Sequence, residues 1–359
     1  MQNIPELANI PGAVREELAT FLDQRREQVA EIGAPVTKAV SFLESFVLDG
    51  GKRVRPTYAW AGYLAAGRGE EEPAAMLRAA ASLEFIQACA LIHDDIIDAS
   101  NTRRGNPTVH RGVEKLHRES DYLGDPEFFG TSVAILVGDL ALVFAEDMFQ
   151  DSGLSAAALH RARNAWRGMR TEVIGGQLLD ISLEAAGSES VKLANSVNRY
   201  KTAAYTIERP LHLGASIAGA SEELITAFRS YGRDIGIAYQ LRDDQLGVFG
   251  DPAITGKPAG DDLREGKRTE LLALALRRAD ESNPQAAATL RKLVGRTSDP
   301  QELSRLAQII ADSGAPEEIE RRIESLTQSG LRHLRAARVD PAVTETLEQL
   351  AIKATARRK

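Results

Sequence analysis

Cysteine is nearly absent from this chain of 359 residues, in which Cys89 is the single one. One thiol cannot form an intramolecular disulfide, and metal sites built from several cysteines are excluded. Basic residues are outnumbered, because 44 Lys and Arg stand against 51 Asp and Glu and give a net charge of −7. This balance gives no global sign of nucleic-acid binding, although a local basic cluster could still bind a small anion.

Long hydrophobic runs are also missing. No window approaches 18 uncharged apolar residues, the length that a transmembrane helix needs. The first residues, MQNIPELANIPGAVREEL, lack the basic region followed by an apolar core that is typical of a signal peptide. Together with the lone cysteine, these absences predict a cytoplasmic protein without a membrane span.

The sequence lacks strand-like alternation as well, and aromatic residues make up only 5% of it. Apolar residues instead recur with the i, i+3, i+4, i+7 spacing of amphipathic helices. The segments with this spacing are 14–32, 73–100, 128–150, 154–183, 191–220, 222–247 and 302–334. The pattern predicts an all-α protein with one large domain over 1–359. It begins with a helix within 1–30 and ends with packing helices over 280–359, to which no chemistry is assigned.

Three aspartates gather near the end of one predicted helix, in the stretch LIHDDIIDASNTRRGNPTVH. Asp94 and Asp98 lie one turn apart, and like charges at this spacing destabilise an isolated helix. Asp95 lies about 100° further round, near enough to reach the same space. A cation between these carboxylates would reverse the repulsion, and an all-oxygen donor set suits a hard ion such as Mg²⁺.

A second acidic pair lies on another predicted helix, in the stretch YQLRDDQLGVFG. Gln240, Asp243, Asp244 and Gly247 share one face of it, and the Gly- and Pro-rich loop that follows carries Lys257. Two acidic pairs that face each other within a helical bundle would form a metal site.

Separate cationic clusters accompany these acids. Lys52 and Arg53 lie in the tight loop GGKRVRP, Arg103 and Arg104 follow the first acidic helix, and Lys201 begins the motif KTAAYT. Arg donates paired hydrogen bonds to phosphate oxygens, and Lys adds a point charge. The combination predicts two bound diphosphates, one bridged by Mg²⁺ and one held by cations alone.

The motifs GGKRVRP, DDIID followed by RRG, KTAAYT and YQLRDD…GKP…GDDLREGKRT, in this order, resemble the trans-polyprenyl diphosphate synthases. The resemblance extends over about residues 35 to 270. It implies an all-α bundle around a deep central cavity, a homodimer, and Mg²⁺-dependent head-to-tail prenyl transfer. The implied substrates are isopentenyl diphosphate and an allylic diphosphate, such as the dimethylallyl, geranyl or farnesyl ester.

The resemblance also assigns roles to individual positions. Asp94, Asp95 and Asp98 match the motif that binds the allylic diphosphate through Mg²⁺, and Asp243 and Asp244 match the second acidic motif, with Asp243 as a metal ligand. The isopentenyl diphosphate site is matched by Lys52, Arg53, Gln87 and Arg104. Contacts to the allylic diphosphate are matched by Arg103, Lys201 and Lys257, and supporting positions by Thr202, Gln240, Gln177 and Asp180.

One position departs from the family pattern. The second acidic motif commonly ends in a third aspartate, and this chain has Gly247 there. The departure removes a weak or indirect metal contact from that motif.

Product length is predicted from the residues below the first acidic motif. Leu83, Gln87 and Ala90 lie within about 40° of Asp94 on a helical wheel, so the growing chain would descend along this stripe. The family sets product length at the fourth and fifth residues before the motif, here Ala90 and Cys89, and neither is aromatic. A C20 product, geranylgeranyl diphosphate, is therefore predicted, with a longer product of C25 or more, or a C15 product, as the alternatives.

His93 lies beside the motif and is interpreted as structural, because on a helix it points about 100° from Asp94. Two further alternatives are a class I terpene cyclase and a non-catalytic synthase subunit. A cyclase needs no second diphosphate site and would normally lack the GGKR and RRG cations. A non-catalytic subunit usually has eroded acidic motifs, and here only Gly247 departs.

Overall fold

The computed structural model describes residues 5–251 and 260–356. This part of the chain is almost entirely helical, which confirms the all-α prediction. The helices are α1 (Ile10–Ile32), α2 (Ala34–Leu48), α3 (Val54–Ala65), α4 (Pro73–Ile97), α5 (Val109–Glu119), α6 (Pro126–Gln150), α7 (Ala156–Ala186), α8 (Val191–Val197), α9 (Arg209–Ile217), α10 (Glu222–Phe249), α11 (Asp261–Glu265), α12 (Glu270–Ser282), α13 (Pro284–Leu293), α14 (Pro300–Asp312), α15 (Ala315–Ala336) and α16 (Pro341–Thr355). A 3₁₀ turn covers Leu7–Asn9, a π-helix covers Asn198–Glu208, and the strands are β1 (Thr102–Arg103) and β2 (Asn106–Pro107).

Residue contacts divide the chain into two compact units. The first runs through Ala165 and includes Pro210–Ala220, and the second comprises Trp166–Arg209 and the chain from Ser221 onward. Helices α7 and α9 each cross a boundary between the units. The single domain over 1–359 and the central cavity stay predictions.

Helix α4 lies in the core of the first unit. Its Phe85 packs against Phe21 of α1 and Phe144 of α6, with ring centroids 5.5 and 5.9 Å apart. Small residues let other helices of this unit approach closely, and a Cβ on Gly214 of α9 would lie only 1.8 Å from the carbonyl oxygen of Ala59 in α3. The contacts of Phe85 with α1 and α6 fix α4, and with it the helix end that carries the first aspartates.

Helix α10 lies in the core of the second unit. Leu241 of α10 belongs to a buried apolar cluster with Leu272 and Leu276 of α12. On another face, Gly236 lets the π-helix approach, because a Cβ there would lie 2.5 Å from the Cα of Ala203. The side chains of the second acidic motif therefore project from a helix that is packed on several sides.

Two segments differ from the sequence prediction. The helix predicted over 302–334 is broken between α14 and α15, where Gly314 has φ of 73°, a left-handed conformation that ends a helix at low cost for glycine. The helix predicted over 191–220 contains the π-helix, in which Lys201 and Thr202 lie. Long π-helices are rare, and π-helical turns occur frequently at functional sites.

Two described helices, α4 and α6, are long and apolar enough to cross a membrane by composition. The apolar window of α4 is 72% buried inside the protein and that of α6 is 39% buried. Core helices of soluble proteins meet the same criterion, so the absence of a membrane span stays a prediction.

Candidate active site

The first acidic motif lies at the C-terminal end of α4. The helix ends at Ile97, with Asp98 as its C-cap, and the next residue, Ala99, is left-handed with φ of 49°. Carboxylates are unfavourable at this end of a helix because the last carbonyl groups already carry negative partial charge. The fold nevertheless buries Asp95 completely and leaves Asp94 and Asp98 half-buried.

Arg103 offsets part of this negative charge. Its Nε donates to Asp95 Oδ1 at 2.7 Å, and its Nη2 lies 3.4 Å from Asp94 Oδ2. The guanidinium group therefore touches two of the three predicted metal ligands of the first acidic motif. Charge-assisted contacts of this kind are the stronger hydrogen bonds of proteins.

The two consecutive arginines are separated by a tight hairpin. Strands β1 and β2 pair Arg103 with Asn106, and Arg104 and Gly105 form the two-residue turn with φ of 54° and 80°. Positive φ at both positions is typical of a type I′ turn. As a result Arg103 contacts the acids, whereas Arg104 extends toward Gly50 and Gly51.

The glycine-led loop holds two guanidinium groups close together. Gly50 and Gly51 have φ of 94° and 91°, which favour glycine. A Cβ on Gly51 would lie 3.3 Å from Arg53 Nη1 and 3.4 Å from Arg104 Nη2. The Arg104 guanidinium also lies over the ring of Phe46, 5.5 Å from its centroid. Glycine at 51 therefore leaves room for both cations.

Glu84 of α4 is buried beneath these cations. Arg53 Nη1 donates to Glu84 Oε2 at 2.6 Å, and Arg53 Nη2 donates to the carbonyl oxygen of Val47 at 2.5 Å. The side chains of Arg53 and Glu84 are only 4% and 2% exposed. Within the described residues, Glu84 Oε1 has no hydrogen-bond partner. The sequence prediction missed Glu84, although an acid amid the apolar residues of a helix is unusual unless it is paired.

Positive charge exceeds negative charge around Arg104. Desolvation lowers the pKa of Arg104, Glu84 opposes this change, and the guanidinium groups of Arg53, Arg103 and Arg55 lower the pKa further. A group of four arginines with a single buried carboxylate has the electrostatics of an anion site. Lys52 adds an exposed cation on the same loop.

The predicted length-determining residues lie between the two charged regions of α4. Gln87 and Ala90 are each half-buried, and Leu83 is fully buried. Cys89 lies on another side of the helix, where its Sγ is 3.8 Å from His93 Nδ1, and burial raises the pKa of its thiol to about 11. Cys89 therefore faces His93, whereas Ala90 belongs to the stripe below the first aspartates.

His93 packs against α6. Its Nε2 lies 3.1 Å from the carbonyl oxygen of Ile135, and a Cβ on Gly138 would lie 2.3 Å from this nitrogen. The contact with α6 supports the structural interpretation of His93.

In the second unit, a short chain of hydrogen bonds leads to the second acidic motif. Thr202 Oγ1 donates to Gln240 Oε1 at 2.6 Å, and Gln240 Nε2 donates to Asp244 Oδ1 at 2.7 Å. Asp243 is exposed, whereas Asp244 is only 4% exposed. The structure thus brings together three of the predicted residues and assigns the two aspartates different environments.

The surroundings of Asp244 destabilise the charged form of its carboxyl group. Burial raises its pKa well above the ordinary range, and the carboxylates of Asp262 and Asp243 raise it further against the opposing effects of Gln240 and Lys267. Asp244 Oδ2 has no hydrogen-bond partner within the described part of the chain. A buried carboxylate oxygen without a partner is costly unless a cation or a proton compensates it.

Lys201 lies in the π-helix and donates from Nζ to Asp180 Oδ2 of α7 at 2.6 Å. Gly176 of α7 makes this approach possible, because a Cβ there would lie 2.3 Å from the backbone nitrogen of Lys201. Gln177 lies half-buried on α7, three residues before Asp180. The predicted contact of Lys257 lies outside the described residues.

The donors fit a magnesium ion in their chemistry. Within residues 5–251 and 260–356, no three His, Cys, Asp or Glu side chains converge as a complete metal site. Mg²⁺ is usually held by only one or two carboxylates, with waters and substrate phosphates as the other ligands. Asp94, Asp95 and Asp98 provide such carboxylates in the first unit, and Asp243 and Asp244 do so in the second.

Comparison with known proteins agrees with this arrangement. The family model described as polyprenyl synthetase matches residues 37–312. A crystal structure of geranylgeranyl pyrophosphate synthase from Corynebacterium glutamicum, complexed with isoprenyl diphosphate and magnesium, is 64% identical, with a TM-score of 0.96 over 99% of this chain and 100% of that chain.

More distant relatives agree on the family. Geranylfarnesyl diphosphate synthase of Aeropyrum pernix is 36% identical over 64% of this chain and 68% of its own length. A chloroplastic geranylgeranyl pyrophosphate synthase of Arabidopsis thaliana is 31% identical over 74% of this chain and 73% of its own. The chain therefore belongs to the polyprenyl synthetase family, as a trans-prenyl diphosphate synthase.

Proposed function

We propose that this prenyltransferase condenses isopentenyl diphosphate head-to-tail with allylic diphosphates and releases geranylgeranyl diphosphate, with Mg²⁺ as its cofactor. The observation that carries the proposal is the hairpin that separates Arg103 from Arg104. One arginine contacts the carboxylates of the first acidic motif, and its neighbour joins Arg53 at the glycine-led loop. Two adjacent but distinct anion sites suit a reaction between two diphosphates.

The roles of the residues follow from these contacts. Bound Mg²⁺ would neutralise the charge that develops on the leaving diphosphate. Arg103 already faces the first acids and can donate to the allylic diphosphate, whereas Arg53 and Arg104 would hold isopentenyl diphosphate by charge-assisted hydrogen bonds. Holding the two substrates side by side converts their encounter into an effectively intramolecular step.

The organic steps follow the family. The allylic C–O bond ionises, the isopentenyl double bond attacks the allylic cation, and a proton is lost, with the released diphosphate as its acceptor. Apolar walls along the stripe of Leu83 and Ala90 would keep water from the cation. Lys201, paired with Asp180, is the proposed further cation for the allylic diphosphate.

Two observations support a C20 product. Ala90 is small and half-buried, so no aromatic side chain at this position blocks the proposed path below the first aspartates. The Corynebacterium protein with 64% identity is named as a geranylgeranyl pyrophosphate synthase. A C25 product is the second candidate, because the Aeropyrum relative is named as a geranylfarnesyl diphosphate synthase.

We also propose a homodimer, which the surface of α6 supports. This helix exposes the large apolar side chains of Phe128, Ile135, Leu136 and Val143, which are 73%, 43%, 66% and 52% exposed. A row of apolar residues on one long helix is typical of a surface that binds another protein chain. A second copy is the proposed occupant, and sedimentation of the wild-type protein against Leu136→Glu measures it. We further propose a cytoplasmic location, in line with the single buried cysteine.

The test is incubation of the pure protein with labelled isopentenyl diphosphate, each allylic primer and Mg²⁺, followed by chain-length analysis. Labelled C20 prenyl alcohol after phosphatase treatment is expected from wild type and not from Asp94→Ala. A terpene cyclase would instead release an unlabelled hydrocarbon from the primer alone, and a non-catalytic subunit would release no product.

A further inference from the structure

Arg242 and Gln245 stand on either side of the second acidic motif in α10. At 100° per residue, the midpoint of these two positions lies about 180° around the helix from the midpoint of Asp243 and Asp244. The acids and their two neighbours therefore occupy opposite faces of the same stretch of helix. No role was predicted for Arg242 or Gln245 from the sequence, and no chemistry for residues 280–359.

Hydrogen bonds fix this opposite face to α15 and α16. Arg242 Nε donates to the carbonyl oxygen of Thr355 in α16 at 2.9 Å, and its Nη2 donates to Glu320 Oε1 in α15 at 2.7 Å. Its Nη1 donates to Gln245 Oε1 at 2.6 Å, and Gln245 Nε2 donates to the carbonyl oxygen of Pro316 at 3.1 Å. All three guanidinium nitrogens of Arg242 are thus used within the protein, and its side chain is buried.

The contact with Thr355 suits the end of a helix. Thr355 is the last residue of α16, where carbonyl oxygens lack partners within the helix and carry negative partial charge. The Arg242 guanidinium satisfies one of these oxygens and complements the charge. A second contact lies about three turns away on α10, where the hydroxyl of Tyr231 donates to the carbonyl oxygen of Leu347 at 2.7 Å. Helix α16 is therefore fixed to α10 at two points.

Stability alone does not require an arginine at position 242. Replacing a buried ion pair by apolar residues of similar size is often neutral or stabilising. The planar guanidinium group instead provides donors in fixed directions, and three of them determine how α10 is rotated against α15 and α16. Rotation of α10 would move the carboxylates of Asp243 and Asp244. Mg²⁺ demands nearly ideal octahedral geometry, so its binding depends on where these carboxylates lie.

We propose that Arg242 is a positioning residue for the second acidic motif, through which α15 and α16 hold Asp243 and Asp244 in the orientation that binds a divalent cation. Arg242 is directed away from the aspartates and acts through the turn of α10 that it shares with them. The proposal rests on the proposed function, in which Mg²⁺ is the ion. It gives part of residues 280–359 an indirect role in the site.

The first experiment measures Mn²⁺ binding to the full-length protein, with inorganic diphosphate present, from the loss of the free Mn²⁺ resonance signal. Arg242→Met removes the three donors and keeps an unbranched side chain. We expect its Mn²⁺ affinity to fall by about tenfold, the lower end of what loss of an orienting contact costs a metal site.

Arg278→Met is the matched control. Arg278 of α12 also donates to a glutamate of α15, Glu318, and its Nη1 donates to the carbonyl oxygen of Ser313 just after α14. It makes the same kinds of contact as Arg242 but does not lie on the helix of the aspartates. Both variants should have a lower melting temperature, whereas Mn²⁺ affinity in Arg278→Met should stay within about twofold of wild type. Wild-type affinity in Arg242→Met, or an equal loss in both variants, would overturn the proposal.

Two milder variants serve if Arg242→Met does not fold. Glu320→Ala removes one of the three contacts, and Arg242→Lys keeps the charge but loses the planar donor group. Both should bind Mn²⁺ more weakly than Arg278→Met does. Affinities equal to that of Arg278→Met in both milder variants would contradict the positioning role.

The second experiment assigns the loss to the second acidic motif. Where Asp243→Asn has already weakened that motif, Arg242→Met should lower Mn²⁺ affinity by less than about twofold. In Asp94→Asn, which changes the motif on α4, the tenfold loss should persist. Equal losses in both backgrounds would refute the proposal. If the expected pattern is found in a protein that makes no prenyl product, the proposed function fails and this inference stands. If C20 product forms and Arg242→Met binds Mn²⁺ like wild type, only this inference fails.

Discussion

The buried ion pair between Arg53 and Glu84 allows the sharpest prediction about the basic cluster. Glu84→Gln removes the charge of the acid and keeps its shape. It leaves the Arg53 guanidinium, which is 4% exposed, without its counterion. Breaking a buried pair in this way costs about 3 kcal/mol of the free energy of unfolding. Arg55, Arg103 and Arg104 lie close enough to one another to add repulsion.

The comparison that isolates the pair is a double-mutant cycle with Arg53→Gln, measured by urea unfolding. In the double variant Arg53→Gln/Glu84→Gln neither charge is left buried alone. Its loss of unfolding free energy should therefore be smaller than the sum of the two single losses by about 2 kcal/mol. Arg111→Gln, which removes a partly exposed partner of Glu114, is the control and should cost less than about 1 kcal/mol.

Glu84→Gln should also raise the KM for isopentenyl diphosphate. Removing a negative charge beside the proposed diphosphate site would by itself tighten binding, whereas loss of the Glu84 contact releases the Arg53 guanidinium from its orientation. Since one charge-assisted hydrogen bond is worth about 1.5–3 kcal/mol, we expect KM for isopentenyl diphosphate to rise by about tenfold. KM for the allylic primer should change by less than about twofold. Two results would refute the positioning role of Glu84. One is that the losses of unfolding free energy in the two single variants add up to that of the double variant within about 0.5 kcal/mol, and the other is a lower KM for isopentenyl diphosphate.

Three further predictions concern single positions. Ala90→Phe should shorten the main product to C15 in the labelled-product assay, and an unchanged length would contradict the stripe below the aspartates. Gly51→Ala places a side chain at φ of 91° and 3.3 Å from Arg53 Nη1, so it should cost about 1–2 kcal/mol in urea unfolding and raise KM for isopentenyl diphosphate. Because the pKa of Asp244 is raised in the folded state, its contribution to stability is present at low pH and is lost as pH rises through the raised pKa. In EDTA, Asp244→Asn should therefore match wild type in acid and exceed its stability increasingly toward neutral pH, and a constant difference would contradict this.

The sequence predicted the helices well where apolar periodicity and turn residues agree. The helices predicted over 73–100, 128–150 and 222–247 correspond to α4, α6 and α10, with small differences at their ends. The π-helix was not predicted, because it covers only 11 residues between α-helices, and apolar spacing over so short a segment does not distinguish the two kinds of helix. The break at Gly314 escaped prediction since α14 and α15 pack on the same core and continue one apparent pattern.

The sequence predicted which charged residues form the motifs, but it did not predict which of their side chains contact one another. Asp94, Arg103 and Arg104 stand close together in sequence, and the Arg104-Gly105 turn determines that the two arginines diverge. Glu84 lies 31 residues from Arg53, and no local pattern connects them. Asp262 likewise reaches Gly247 only through the packing of α11, which depends on contacts distant in sequence.

The division of the two substrates between Arg103 and Arg104 is the central claim, and paired lysine substitutions test it most directly. Arg103→Lys and Arg104→Lys each keep the charge and lose the planar, two-pronged hydrogen-bond donor. Steady-state kinetics should show a KM for the allylic primer about tenfold higher in Arg103→Lys and a KM for isopentenyl diphosphate about tenfold higher in Arg104→Lys. In each variant the KM for the other substrate should stay nearly unchanged. Equal increases of both constants in both variants would contradict the account.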